Sequence, residues 1–177
     1  MSRHLAFRQD KQYWDIRYEK TLGAPPDDER GPLFDWLATP DALQPRLDAL
    51  RAKLLARPHC DGGLRVLDMG CGNSLLAERL AAARCAPSPA AASDSDDELE
   101  EGEGGDGERV APYAYASVDA IDFSPSCVTH METRAAAAGL KDRLHYAVMD
   151  ARAMTYPDRY FDLIVDKGCF DAALVRS

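Results

Sequence analysis

The chain has 177 residues, a length expected for one domain, and 46% of them are hydrophobic and 29% charged, as in most soluble globular proteins. No apolar run approaches the ~20 residues of a membrane-spanning helix, and the N-terminus lacks the apolar segment of a secretory signal. The five cysteines are odd in number and widely spaced, without a C-x-x-C pair. This pattern favours a reducing, cytoplasmic location and argues against a disulfide scaffold or a structural metal site.

Residues 86–109 are expected to form a flexible acidic insertion within the single domain 1–177. Residues 86–108 contain nine of the 30 acidic residues and no Lys or Arg, which leaves 21 acidic side chains against the 21 basic ones elsewhere. So few apolar residues cannot offset the entropy of ordering. A solvated spacer and an arm for a basic partner both remain open. Because the rest of the chain has no basic stripe, tight nucleic-acid binding is not expected.

The predicted helices alternate with apolar segments. Residues 41–57 form the first predicted helix, in which four leucines recur at spacings of four, three and four: Leu43, Leu47, Leu50 and Leu54. A second helix is predicted from about Ser74. A third begins at Pro125 and ends at Gly139, because proline favours the first helical turn and glycine the C-terminal stop.

Four apolar segments are predicted as strands: 64–68, 115–121, 144–149 and 161–165. Each ends at an aspartate or is followed directly by one: Asp68, Asp122, Asp150 and Asp166. Strands that alternate with helices predict an α/β fold with a parallel sheet covered by helices on both faces. Because ligands bind at the carboxyl ends of such strands, we expect the four acids to converge on one site.

The turn after the first predicted strand is rich in glycine. Gly70 and Gly72 allow a tight turn and a close approach of the backbone to a ligand. The third glycine of a dinucleotide fingerprint is replaced by Leu75, and Asp68 disfavours a pyrophosphate. A carboxylate there favours a ligand with positive charge or many hydrogen-bond donors, and S-adenosyl-L-methionine has both. A tight turn with a capping acid, and a nicotinamide oxidoreductase, remain alternatives.

The other strand ends offer further ligand contacts. Asp122 could accept both hydroxyls of a ribose, or could cap the following helix. Asp150 could accept from an adenine amino group with Met149 and Ala151 beside the ring, or could be solvated. Lys167 follows the fourth strand and lies beside the same site or on the surface.

Together these motifs resemble the class I S-adenosylmethionine-dependent methyltransferases. The D-x-G-x-G turn and the acids after the second and third strands are common to that superfamily. Three segments resemble, more narrowly, the branch that includes the lysine methyltransferases of translation elongation factor 1-alpha: Y-W-D-I-R-Y at 13–18, F-D-W-L at 34–37 and D-K-G-C-F-D-A at 166–172. The resemblance covers residues 13–85 and 110–174.

The resemblance implies a Rossmann-like, doubly wound, mostly parallel sheet with S-adenosyl-L-methionine as the cofactor. It implies that Asp68, Gly70 and Gly72 lie at the cofactor, that Asp122 and Phe123 hold the ribose, and that Asp150 and Ala151 hold the adenine. Lys167 would lie at the cofactor edge, and an N-terminal aromatic segment would fold over the cofactor. That segment would place three aromatic residues near the cofactor: Trp14, Tyr18 and Trp36. Without the resemblance, both tryptophans read as core residues.

The implied activity is methyl transfer to a lysine of a translation-factor-like protein. A catalytically inactive cofactor-binding or interaction module and a small-molecule methyltransferase remain alternatives. No residue is identified as a general base, and none of the four histidines is assigned a catalytic role. No nucleic-acid or membrane partner is expected.

The family's sheet has seven strands, whereas this chain reaches Ser177 after the fourth. The sequence therefore predicts a C-terminally truncated domain with about four of the seven strands. An apolar sheet edge would be exposed, where a partner or a second copy could associate.

Overall fold

The structure is a computed structural model, and it describes residues 11–22, 33–35, 37–56, 63–85 and 112–174. The predicted insertion at 86–109 and Trp36 lie outside the described residues. All the other positions predicted to bind the cofactor lie within them.

Four parallel strands form one sheet in the described part of the chain: β1 Arg65–Met69, β2 Ser117–Asp122, β3 Leu144–Val148 and β4 Leu163–Asp166. Their spatial order is β3-β2-β1-β4, so the chain winds outward in both directions from β1 and β2. Asp68 pairs in register with Ala120 and Val165, and Asp122 with Val148. All four predicted strands and their parallel arrangement are confirmed, although β2 and β4 each begin two residues later than predicted.

Five helices complete the described fold: α1 Lys11–Leu22, α2 Pro40–Leu55, α3 Leu76–Ala82, α4 Pro125–Ala137 and α5 Cys169–Leu174. Thr39 begins α2, and its hydroxyl accepts from the N–H of Ala42 at 3.3 Å. Leu47 is buried, and Leu43 and Leu54 pack partly buried against the same core, whereas Leu50 remains 45% exposed. No described helix has the length and apolar character that a membrane crossing requires.

The alternation of side chains along each strand produces two cores. On one face, Val66, Val118 and Leu144 pack with buried residues of all four of the helices α1 to α4. On the other face, Leu67 and Ile121 pack with residues of the β3–β4 connection and with the start of α5: Met149, Tyr156, Phe161 and Cys169. The sheet is therefore covered on both faces, and its carboxyl edge is left open between α1, α5 and the loops.

Candidate functional site

A cavity of about 400 Å³ lies at the carboxyl ends of the strands. Its lining comes from α1, from Phe34, and from the residues that follow each of the four strands. Both the position and the volume are typical of a small-molecule site in an open α/β sheet. Of the four acids predicted to converge on one site, Asp122 and Asp150 line this cavity, whereas Asp68 and Asp166 do not.

Asp68 does not itself line the cavity, although Gly70, two residues further along the chain, does. The side chain is fully buried, and neither carboxylate oxygen has a hydrogen-bond partner among the described residues. Burial raises the pKa of Asp68 to about 7, although the nearby Lys167 ammonium opposes that shift. Buried carboxylates almost always have hydrogen-bond partners, so an orphaned one beside a cavity indicates a place for a bound donor.

The glycine turn between β1 and α3 has left-handed backbone at both predicted positions. Gly70 has φ +66° and Gly72 has φ +55°. A β carbon on Gly70 would lie 2.5 Å from the β carbon of Cys169, and one on Gly72 would lie 3.0 Å from the hydroxyl of Tyr18. Both glycines line the cavity, but the close approach that they permit in this structure is to α5 and α1.

Asp122 ends β2 and is also buried. One of its oxygens accepts from the N–H of Gly72 at 3.1 Å and from the hydroxyl of Tyr18 at 3.3 Å. The other oxygen accepts from the N–H of Ser124 at 3.0 Å, so the alternative of a cap for the next helix holds together with a position in the cavity wall. Burial raises the pKa of Asp122, and these hydrogen bonds oppose the shift. Phe123 lines the cavity beside it.

Trp14, Arg17 and Phe34 form one wall of the cavity, which we call the cavity roof. The guanidinium carbon of Arg17 lies 5.6 Å from the ring centroid of Trp14 and 5.0 Å from that of Phe34. Trp14 also packs against the core and against Tyr18, with ring centroids 5.8 Å apart. Both interpretations of Trp14, as core and as cavity residue, therefore hold. The position predicted for Trp36 falls outside the described residues.

The residues after β3 contribute the far wall. Asp150 and Ala151 line the cavity as predicted, together with Met149. The Asp150 carboxylate is paired with Arg152, whose guanidinium nitrogen lies 2.6 Å from it. Hydrogen bonds from Arg152 lower the pKa of Asp150 to about 2. Sequence reasoning missed Arg152, although a basic residue two positions after the predicted acid was the available signal.

Lys167 lines the cavity but is buried, so the alternative of a surface lysine is wrong. Its ammonium lies 2.8 Å from the carboxylate of Asp35 and 2.5 Å from the hydroxyl of Ser74. Neither partner was predicted, because Asp35 is 132 residues away along the chain. Asp166 does not face a ligand: it accepts the N–H groups of Gly168 and Cys169 at the start of α5.

Comparison with known proteins adds to this geometry. Residues 98–175 match the family model described as a methyltransferase domain. The chain is 26% identical over 172 residues to EEF1A lysine methyltransferase 4 of Mus musculus, and 26% identical over 166 residues to the Bos taurus protein of that name. The alignments cover 97% and 94% of this chain but 48% and 46% of the relatives, so the chain spans about half the length of the curated relatives that it matches.

The methyltransferase-domain match and the two relatives together support a class I methyltransferase domain. A solved structure of the cyclase SpnF aligns with 89% of this chain at 23% identity and a TM-score of 0.46, and 47% of that protein is covered. The assignment of the fold rests on the described strands and helices themselves.

The cofactor of class I methyltransferases is S-adenosyl-L-methionine, and the cavity of this methyltransferase domain fits it. The orphaned carboxylate of Asp68 suits the ammonium of the amino-acid end. Asp122, in the wall, is an acceptor of the kind that ribose hydroxyls require. The aromatic rings of Trp14 and Phe34 suit a sulfonium and a purine.

Proposed function

We propose that this chain binds S-adenosyl-L-methionine in the cavity at the carboxyl edge of the sheet and transfers its methyl group to a lysine of a protein. The observation that carries the cofactor is the buried carboxylate of Asp68, which has no partner in the described chain although it lies beside a cavity. The lysine acceptor is supported by the two relatives, which are named as lysine methyltransferases of EEF1A.

In this proposal each side of the cavity has a separate task. Asp68 receives the cofactor's ammonium, directly or through one water, because a buried carboxylate gains most from a charged donor. Asp122 accepts from the ribose with the lone pairs that Tyr18 and Gly72 leave available. Ala151 and Met149 contact the adenine, and Asp150 accepts from its amino group if Arg152 turns outward.

The cofactor supplies a methyl group on a positively charged sulfur, and the displacement itself needs orientation more than proton transfer. Trp14 and Phe34 shield that position from water and attract positive charge through their ring faces. The acceptor lysine must be neutral to attack, and its amine has a pKa near ~10.4 in water. A wall of apolar rings favours the neutral amine, because desolvation disfavours the ammonium form. No histidine is among the described lining residues.

We also propose that the chain forms a single domain with one insertion. Residues 1–177 belong to one domain, and the described residues on either side of the insertion at 86–109 lie away from the cofactor site. The two attachment points of the insertion, near Cys85 and Pro112, are joined by a backbone hydrogen bond of 2.8 Å. They precede β2, at the amino edge of the sheet, whereas the cavity lies at the carboxyl edge. The β4 edge of the sheet, where Ile164 is 51% exposed, is the proposed place for a partner.

Calorimetric titration of the full chain with S-adenosylmethionine, S-adenosylhomocysteine and NADH tests the cofactor. We expect micromolar binding of the first two and none of NADH, since Asp68 opposes a pyrophosphate. Asp68→Asn should weaken binding at least ~10-fold, because the charged partner of the ammonium is lost. Asp142→Asn, at an exposed position, is the matched control. Binding of NADH, or equal affinity of the folded Asp68→Asn chain, would refute the site.

The acceptor is tested separately with purified elongation factor 1-alpha and labelled cofactor. We expect label on a lysine of the factor, located by peptide mass spectrometry, and none with the Asp68→Asn chain. If the chain binds the cofactor but labels no protein, the lysine assignment fails while the cofactor site stands.

A further inference from the structure

A buried ion pair holds the segment before α2 against the base of the cavity. The Nζ atom of Lys167 lies 2.8 Å from Oδ1 of Asp35 and 2.5 Å from Oγ of Ser74, which in turn lies 2.5 Å from Asp35. The side chains of Lys167 and Asp35 are only 6% and 20% exposed. We call these three residues the Lys167 cluster. Because water scarcely reaches it, the loss of one partner leaves an uncompensated charge.

The Lys167 cluster joins three parts of the chain that are far apart in sequence. Lys167 follows β4, Ser74 precedes α3 and Asp35 precedes α2. A backbone hydrogen bond of 3.1 Å from the N–H of Phe34 to the carbonyl of Asn73 runs beside it. The stretch that contains Phe34 is therefore attached to the turn after β1 by a backbone hydrogen bond and through Ser74, and to the end of β4 by the ion pair.

Phe34 is the part of this stretch that faces the cavity. Its ring supports the guanidinium of Arg17 at 5.0 Å, and Arg17 also lies over Trp14. Phe34 keeps 39% of its surface exposed, so burial holds the ring only in part. The backbone hydrogen bond to Asn73 and the ion pair of the next residue, Asp35, add polar contacts at the same place.

We infer that Lys167 and Asp35 are positioning residues, whose ion pair holds Phe34, and through it Arg17, over the cavity. The pair does not need to touch the ligand, since it acts through the position of an aromatic ring. The loss of this aromatic contact should change the escape of a bound ligand more than its entry, because most changes of affinity at one site appear in the dissociation rate constant. The identity of the ligand rests on the proposed function, whereas the position of Phe34 is a property of the chain alone.

The first test uses the full chain without ligand and needs no cofactor. Cys169 lines the cavity, whereas Cys127 lies on α4 and is fully buried. Their rates of alkylation by iodoacetamide therefore separate opening of the cavity from unfolding of the domain. Burial raises the pKa of the Cys169 thiol to about 12, so an open cavity increases both access and ionisation. In Asp35→Ala we expect alkylation of Cys169 to rise at least about tenfold, with Cys127 unchanged.

Two further variants provide an intermediate case and a control for this alkylation experiment. Asp35→Asn keeps an oxygen that can accept from Lys167, so its effect should be intermediate. Glu78→Gln removes the charge from another partly buried ion pair, that with Arg134, whose residues do not line the cavity. It should leave the alkylation of Cys169 unchanged. An unchanged rate at Cys169 in Asp35→Ala, or an equal rise at Cys127 in both Asp35 variants, would overturn the inference.

The second test measures S-adenosylhomocysteine binding by stopped flow. We expect the dissociation rate constant to rise about tenfold in Asp35→Ala and the association rate constant to stay within about twofold. If Asp35→Ala changed the association and dissociation rate constants by equal factors, the pair would only support the fold, and the inference would be overturned. If the unaltered chain binds no S-adenosylhomocysteine, the proposed function fails, while the alkylation result still decides the role of the ion pair.

Discussion

The buried carboxylate of Asp68 predicts that this chain is less stable above neutral pH than a variant without that charge. Asp68→Asn introduces a side chain of the same shape as aspartate that cannot ionise. At low pH both side chains are neutral, so the two chains should be similarly stable. As the pH rises, the unaltered chain in its folded state acquires a buried anion without a partner in the described chain, which favours unfolding. The variant remains neutral at this position.

The size of the effect follows from the pKa shift. Burial raises the pKa of Asp68 from 3.8 to about 7 in the folded chain. Between those two values the folded state binds one more proton than the unfolded state, so stability falls as the pH rises and levels off above about pH 7. Each pKa unit corresponds to ~1.4 kcal/mol, which makes the full loss about 4 kcal/mol. Between about pH 5.5 and pH 8 about half of it, ~2 kcal/mol, should be measurable.

Urea denaturation of both chains at several pH values between about 5.5 and 8.5 measures this difference directly. Burial also raises the pKa values of Asp119 and Asp122, but those carboxyls are present in both chains and largely cancel from the difference. The stability of Asp68→Asn relative to the unaltered chain should increase by ~2 kcal/mol over this range and then remain constant.

A difference that stays flat across the whole range would show that Asp68 is already ionised and partnered at pH 5.5, and would refute the reasoning. A link to the proposed cofactor follows from the same charge. Saturating S-adenosylhomocysteine should stabilise the unaltered chain more at pH 8 than at pH 6, because only the ionised Asp68 pairs with the ligand's ammonium. Asp68→Asn should lack that pH dependence.

Three further results are expected. Gly70→Ala should lower the free energy of unfolding by ~2 kcal/mol or more in urea denaturation, since φ is +66° and the new methyl would lie 2.5 Å from Cβ of Cys169. Gly139→Ala, with φ +71° and nothing within 4 Å, should lower the free energy of unfolding by less. Tyr18→Phe removes a hydrogen bond that holds the carboxylate of Asp122 in the cavity wall, so S-adenosylhomocysteine titration should show affinity falling about tenfold. Deletion of residues 86–108 should leave that affinity nearly unchanged in the same titration, and a large loss would place the insertion in the site.

The sheet was predictable from the sequence because each strand is marked twice. A run of apolar residues is long enough for a buried strand, and an aspartate or a glycine marks where it ends. In parallel strands the carboxyl ends meet by necessity, so the position of the cavity followed from the strand assignments alone. Helix α1 was different: its residues have no clear apolar stripe, and only the resemblance to known methyltransferases pointed to the segment that contains Trp14 and Tyr18.

Pairings between distant charged residues were not predictable. Lys167 and Asp35 each lie in a motif that carries the family resemblance, but nothing in the spacing indicates that a loop before α2 reaches the end of β4. The same holds for Asp122, whose two interpretations seemed exclusive from sequence. The structure shows both at once, because a carboxylate has enough lone pairs to accept from the helix start, from the glycine turn and from Tyr18.

The acids at the strand ends illustrate why a shared pattern does not imply a shared role. Asp166 accepts hydrogen bonds from backbone N–H groups at the start of α5, and Asp150 forms an exposed ion pair with Arg152. Asp68 has neither kind of partner among the described residues, because it lies within β1 rather than beyond its end, where no helix N-terminus or flexible arginine reaches it. The residue most useful to a cationic ligand is therefore the one that the described chain itself leaves unsatisfied, at a cost in stability that Asp68→Asn would remove together with the affinity.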